Sequence, residues 1–388
     1  MLDLAARSAL RAAGNVEPNP MVGCVIVAAG ADHKVIGIGH HHKFGGPHAE
    51  VAALAACSRV GHNPAGATAY VTLEPCAHFG KQPPCCEALI SAGIGRVVCA
   101  RPDPNPVSTG GAARLRAAGI PCDFTDASPL ATRLADPFCK RITTGLPWVI
   151  AKWAQTIDGR IATRAGASQW ISSEASRREV HRLRARVDCI LTAIGTVLAD
   201  NPRLTARGVG GAQVRRIARR VVIDPRLELP PACNLLQTLV YAPLTIATTA
   251  SAVASKPDFA RALDSRGVEV LVADANDSAP TEPNSDEVSL RAVLAHLARA
   301  HDATNVLVEP GPRLLGRLLQ QDLADELRVY IGPLILGDDQ ALPAAAGRTA
   351  PSLADARRYQ LLRARPLGHD VRLLYLRTGS ADGPTPGE

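Results

Sequence analysis

His48-Ala49-Glu50, then Pro75-Cys76, then Pro83-Pro84-Cys85-Cys86 supply, in that order, three borderline-soft metal donors and one carboxylate to spare. A structural zinc site closes with four protein ligands, whereas a catalytic one keeps a position open for water. Three donors and an unused glutamate therefore predict a zinc-activated water. Glu50 is the group expected to take its proton and return it to a leaving group. Histidine and glutamate two positions apart share no face in mid-helix. The pair is thus expected in the first turn of the Ala-rich stretch 48–58, with the metal capping the helix end, where the macrodipole also favours a thiolate. Any one cysteine, taken alone, is more often a buried thiol. Residue type does not separate Cys85 from Cys86 as the third donor. His40, His41 and His42 cannot all face one ion, so a solvated or substrate-contacting role is expected of them.

A second chemistry is written further on. No Gly-x-Gly-x-x-Gly follows a strand, so the usual dinucleotide fingerprint is absent. Residues 306–312, Val-Leu-Val-Glu-Pro-Gly-Pro, read instead as a buried strand breaking into a Gly/Pro turn before an apolar helix at 313–319. Backbone N–H groups at such a helix start suit a pyrophosphate, although the same pattern in isolation is a plain strand-turn-helix connection.

Alternating strand and helix signals position these residues. In the first part, strands are predicted at 22–27, 69–73 and 96–100, with helices at 1–15, 48–58, 85–92 and 111–118. The pattern loosens at 143–147. A second block follows with strands at 148–154, 189–194, 220–223, 239–241, 268–272, 305–309, 328–336 and 371–376. Helices are expected there at 174–186, 290–299 and 314–322, with a surface loop at 274–287. This alternation predicts an α/β architecture, divided as 1–145, 146–378 and a small polar tail at 379–388.

With 388 residues, the chain exceeds what one core of roughly 250 to 300 residues encloses, so two domains are expected. Aromatics make up only 3%, which leaves the cores to Ala, Val, Leu and Ile and offers few rings for stacking bases. Arginine is scattered rather than blocked, so the net charge of +7 fits a small phosphorylated substrate better than nucleic acid. No run of about 18 apolar residues predicts a membrane span, and residues 1–15 lack the apolar core of a signal peptide. The ten cysteines read as metal-binding or buried thiols of a reducing, cytoplasmic compartment.

The runs 18–27 (Pro-Asn-Pro-Met-Val-Gly-Cys-Val-Ile-Val), 39–50 and 72–85 resemble the deaminase half of the bifunctional riboflavin-biosynthesis deaminase-reductases, as do 103–106 and 117–120. The resemblance implies an N-terminal cytidine-deaminase-like three-layer domain with His48, Cys76 and Cys85, not Cys86, on Zn2+. Asn19, His42 and Lys81 become substrate contacts by the same match. Residues 152–162, 168–173, 182–186 and 195–207 resemble the family's reductase half, a dihydrofolate-reductase-like α/β domain that takes NADPH without Rossmann glycines. Carried over by position, Ala154, Trp170, Thr196, Asp200 and the turn Gly311, Pro312, Arg313, Leu314, Leu315, Gly316 and Arg317 would hold NADPH. Ser168, Arg184, Leu204, Arg207 and Glu309 would hold the substrate, with Arg184 and Arg207 suited to phosphate. Lys152 and Asp158 are candidates for organising that site. The pattern departs from the family at Gln82 and in the loop 106–111, where the family has a Gly one position earlier, and at Thr156, Ile157 and Pro310, of which the last three remove no charged group. The implied chemistry is deamination of a diaminopyrimidinone ribosylamine phosphate followed by NADPH reduction of its ribosyl chain, in a homo-oligomer. The rival expectation is a tRNA-type zinc deaminase with a nucleic-acid-binding appendage.

Overall fold

A computed structural model of the chain describes residues 1–30, 33–80, 83–207, 216–275, 287–348 and 350–378. The chain divides into two units, Met1–Pro147 with Asp302–Thr304, and Trp148–His301 with Asn305–Glu388.

In the first unit, strands β1 (Gly23–Val27), β2 (Val35–His40), β3 (Thr68–Val71), β4 (Arg96–Cys99) and β5 (Cys122–Phe124) form one sheet in the order β2-β1-β3-β4-β5. β1 is antiparallel to both β2 and β3, and β3, β4 and β5 run parallel. Both faces are covered, which explains the continuous apolar runs in place of polar alternation. Cys24, Ile26, Ala69, Val71, Val97 and Cys99 meet helices Ala49–Arg59, Cys85–Ser91 and Gly111–Ala117 on one side. Val25, Val27 and Val98 point the other way, toward helices Leu2–Ala9 and Pro129–Arg133. Three layers result.

Small residues set how close these layers come. A Cβ on Gly39 would lie 2.2 Å from the backbone nitrogen of Ala53 and 2.4 Å from the carbonyl oxygen of Ala49. Gly37 meets the Ala53 carbonyl in the same way, at 2.5 Å. Strand β2 therefore packs against bare helix backbone. The glycines that make this contact possible also mask the strand in the sequence, and β2 was not foreseen.

The second unit holds β6 (Trp148–Gln155), β7 (Arg160–Ala162), β8 (Cys189–Ala193), β9 (Arg219–Ile223), β10 (Leu244–Thr248), β11 (Glu269–Val272), β12 (Asn305–Val308), β13 (Glu326–Ile331), β14 (Leu342–Pro343), β15 (Tyr359–Leu367) and β16 (Asp370–Arg377). Nine of them form a sheet in the order β11-β10-β9-β8-β12-β6-β13-β16-β15, while β7 pairs with β14. Pairings are parallel from β11 to β13 and antiparallel from β13 through β16 to β15. The strand expected at 239–241 is instead a turn exposing Val240 and Tyr241, and the buried strand begins at Leu244, past Pro243. The strand expected over 328–336 ends at Ile331, leaving Leu334 and Ile335 exposed. β15 was unforeseen because its residues are mostly exposed and Arg-rich, so no buried face marks it. The helix expected from Leu314 starts two residues earlier, at Pro312. Most of the loop expected at 274–287, and the tail at 379–388, lie outside the described residues.

Two candidate active sites

In the first unit, His48 is the N-cap of helix Ala49–Arg59, and Cys85 is the first residue of helix Cys85–Ser91. Cys76 sits in the loop after β3 and accepts a hydrogen bond from the Cys85 backbone N–H at 3.4 Å. His48 Nδ1 lies 3.2 Å from Cys85 Sγ and 3.6 Å from Cys76 Sγ. The three ligand atoms all lie within 4.8 Å of one another. Cys86 turns into the core beside Leu89, so helix geometry separates the two adjacent cysteines where residue type did not. Two thiols and an imidazole at this spacing fit the donor set zinc takes, with Nδ1 as the imidazole donor.

The electrostatics agree with that set. A hydrogen bond from the Cys85 thiol, and then one from His48, hold the Cys76 thiol below its ordinary range, and Cys85 is pushed up in return. Glu50 is 3% exposed. Burial, and then the charge of Cys76, raise its carboxyl to about 7, where a group exchanges protons most readily at neutral pH.

His48, Glu50 and Cys76 line a cavity of about 280 Å³ together with Asn19, His41, His78, Asp103 and Ser108. His41, and not His42, faces it. His42 is exposed and packs on His40, which is itself buried with Ser8 Oγ at 3.0 Å from its Nδ1. His41 Nδ1 donates to the Pro47 carbonyl at 2.9 Å, so its Nε2 accepts from Asn19 Nδ2 at 3.3 Å. Burial lowers its pKa, in keeping with this neutral tautomer. Glu74 was also missed. Its buried carboxylate accepts the backbone N–H groups of Asp103, Gly110 and Ala112 at 3.0–3.2 Å, which fixes the loop forming the far wall. Its neighbour Cys76 drew attention in the sequence, whereas a lone glutamate before a proline carries no signal. Lys81 and Gln82 lie outside the described residues.

The second unit has a cavity of about 890 Å³ at the C-terminal ends of β6, β8 and β12, where open α/β sheets bind ligands. Lys152, Ala154, Ser168, Trp170, Arg184, Thr196, Asp200, Leu204, Arg207 and Glu309 all line it. Arg184 grips Glu309 through two bonds of 2.6 and 2.7 Å and donates to the Thr205 carbonyl at 3.3 Å. Burial opposes the Glu309 charge, but Arg184 and Lys152 outweigh it and hold the carboxyl at about 2. Arg184 is thus committed to a carboxylate and is less available to phosphate than expected. Arg207 is better placed: burial, and then the charges of Arg184 and Arg203, push its pKa down, as in a cation cluster short of an anion. His181 Nδ1 accepts the Arg207 backbone N–H at 3.1 Å, and burial with the two arginines keeps its pKa near 4. Sequence reading missed Arg177, His181 and Arg203. Residues 177, 181 and 184 share one helix face at i, i+4 and i+7 spacing, the signal that would have found the first two.

Two expectations are corrected here. Asp158 lies outside the cavity, where it accepts the N–H groups of Leu336 and Gly337 and ties down a surface turn. Lys152 does face the cavity. The turn from Gly311 contributes less than its seven residues suggested. Leu314, Leu315 and Gly316 are buried, and a Cβ on Gly316 would lie 1.9 Å from the Ala346 carbonyl oxygen. Arg317 is held by the Val288 carbonyl and Glu287. What that helix start can offer a phosphate is the N–H groups of Arg313 and Leu314, which an α-helix leaves without internal partners.

Residues 1–101 match the family model for the cytidine and deoxycytidylate deaminase zinc-binding region, and residues 147–373 that for the RibD C-terminal domain. The molecule is therefore a zinc deaminase and a reductase in series, which does not favour the rival of a tRNA-type deaminase with a binding appendage. It is 36% identical to the riboflavin biosynthesis protein RibD of Aquifex aeolicus, over 97% of each chain. To RibD of Escherichia coli K12 it is 38% identical, over 95% of this chain and 96% of that one. Form 1 of Acinetobacter baumannii RibD superposes with a TM-score of 0.79 at 35% identity, covering 97% of this chain and 98% of that one. The chain belongs to the RibD family of bifunctional riboflavin-biosynthesis enzymes, using Zn2+ for deamination and NADPH for reduction. No helix among the described residues is long and apolar enough to cross a membrane.

Proposed function

We propose that the first unit deaminates a diaminopyrimidinone ribosylamine 5′-phosphate and that the second reduces its ribosyl chain to the ribityl product. The observation that carries this is the convergence of His48, Cys76 and Cys85 on one point, at a cavity that His48, Cys76 and the buried Glu50 line. In this reading His48 Nδ1 and the two cysteine sulfurs hold zinc. When bound, that ion supplies a Lewis acid that brings the pKa of water to about 7. Glu50 takes a proton at its carboxylate and delivers it to the departing amine. Asn19, held by one Nδ2–H on His41, offers its amide oxygen to the pyrimidine. Loop 103–112, held by Glu74, closes the far side.

In the second cavity, Ala154, Trp170, Thr196, Asp200 and the start of helix Pro312–Gln320 hold the cofactor, which supplies the hydride when bound. Ser168, Leu204 and Arg207 hold the substrate, with Arg207 on its phosphate. Arg184 and Glu309 are assigned to orientation of the sugar, and Lys152 to its reacting end. A phosphorylated pyrimidine, not a polynucleotide, is the favoured substrate, because cations cluster inside this cavity.

The test is mass spectrometry of products from the purified protein and the diaminopyrimidinone substrate, with and without NADPH. Deaminated product without NADPH, and deaminated and reduced product with it, are expected. Absence of any reaction in zinc-replete protein would overturn the proposal.

A further inference from the structure

Away from both cavities, a third cluster of ligating side chains joins the outermost parallel strand to a helix. Glu269 opens β11, His296 lies in helix Leu290–Ala300, and His301 caps the end of that helix. His296 Nε2 lies 2.7 Å from Glu269 Oε1, and His301 Nε2 lies 2.9 Å from Oε2. The two rings meet edge to face with centroids 5.4 Å apart. Two imidazole nitrogens and a carboxylate oxygen thus lie within 4.8 Å of one another.

We propose that Glu269, His296 and His301 form a binding site for a divalent transition-metal ion, separate from the catalytic zinc. Three features carry the assignment. The donor set of two histidines and one carboxylate suits Zn2+, Ni2+ and Co2+ and not the hard cation Mg2+. All three donor atoms lie within 4.8 Å of one another, so small side-chain rotations bring them onto one ion with bonds of about 2.1 Å. The carboxylate is also oriented from behind, since Thr245 Oγ1 donates to Oε2 at 2.7 Å and Arg219 Nη1 reaches the same oxygen at 3.2 Å. Metal-ligating carboxylates are ordinarily hydrogen-bonded in this way. Arg219 and Thr245 both bond to Oε2, which leaves Oε1 to the metal. The side chains of Glu269, His296 and His301 are 29%, 25% and 22% exposed, enough to admit an ion and to leave room for water ligands.

Both imidazoles must present Nε2 as a lone pair, with the proton moved to Nδ1, and neutral histidine makes that exchange freely. Bound metal would clip β11 to the helix, raising the stability of the second unit by mass action.

The test is equilibrium dialysis of the zinc-loaded, full-length protein against Ni2+, with zinc content followed in the same samples. One Ni2+ per chain is expected with zinc retained, together with a higher thermal midpoint. Mg2+ at the same concentration should have neither effect. In His296→Gln and His301→Gln, Ni2+ binding should weaken at least tenfold while both enzymatic activities persist, which also shows that the variants fold. Wild-type protein taking up less than one Ni2+ beyond its zinc overturns the site, whether or not any variant folds. So does unchanged Ni2+ affinity in both variants, or an equal response to Mg2+.

Discussion

Glu50, buried, and Glu309, mostly buried, are two carboxyls that their surroundings drive in opposite directions. At Glu50, burial and the neighbouring Cys76 outweigh the opposing charge of His48, so its carboxyl rises to about 7. With the role proposed for it, Glu50→Gln should lower kcat for deamination by about 10² to 10⁴ and leave reduction of supplied intermediate unchanged. Separate steady-state assays of the two steps check this, and equal loss of both would defeat the assignment. Glu309 is held at about 2 because Arg184 and Lys152 outweigh its burial. A depressed carboxyl contributes stability that is complete above its unfolded pKa of about 4.3 and is lost as pH falls toward 2. Denaturant unfolding between pH 6 and about 2 should therefore show an acid loss on the order of 2 kcal/mol that Glu309→Gln lacks. The variant itself should be less stable at neutral pH, since the Arg184 side chain, only 12% exposed, loses its carboxylate partner.

At the scale of elements, the first site depends on how closely strand β2 approaches helix Ala49–Arg59. Gly39→Ala places a methyl within 2.2 Å of helix backbone, and the helix that carries His48 and Glu50 must shift. Zinc content and deamination should fall together while reduction persists, as measured by elemental analysis beside the two assays. Normal zinc occupancy would show that the helix tolerates the shift. The metal donors were legible in the sequence because histidine, glutamate and cysteine in that order have few other uses. Their supports were not. Glycines that allow close packing read as breaks, and so β2 disappeared. Consecutive His41 and His42 look alike, yet the first lines the cavity and the second is exposed. In the second unit, residues that ring the cavity followed from motif positions. Arg184 kept its place but not its expected partner, because pairing with Glu309 across elements is written only in the fold.

For the whole molecule, the described residues that line each cavity all belong to one unit, and with the function proposed each step should run without the other. A mixture of Glu50→Gln and Arg207→Ala proteins should then form the doubly processed product that neither forms well alone. Failure of the mixture, with each single activity intact, would mean that the intermediate never leaves its chain. The rim of the second cavity carries its own reporter. Trp170 is 65% exposed and lies with the Arg177 guanidinium 4.3 Å from its ring centroid, and the chain has only two other tryptophans, Trp148 and Trp153. A water-facing indole emits at the red end of its range, and reduced nicotinamide absorbs at those wavelengths. Cofactor arrival should therefore dim the emission of unlabelled protein, and Trp170→Phe should remove most of that change. The enzyme would then signal its own loading state by light.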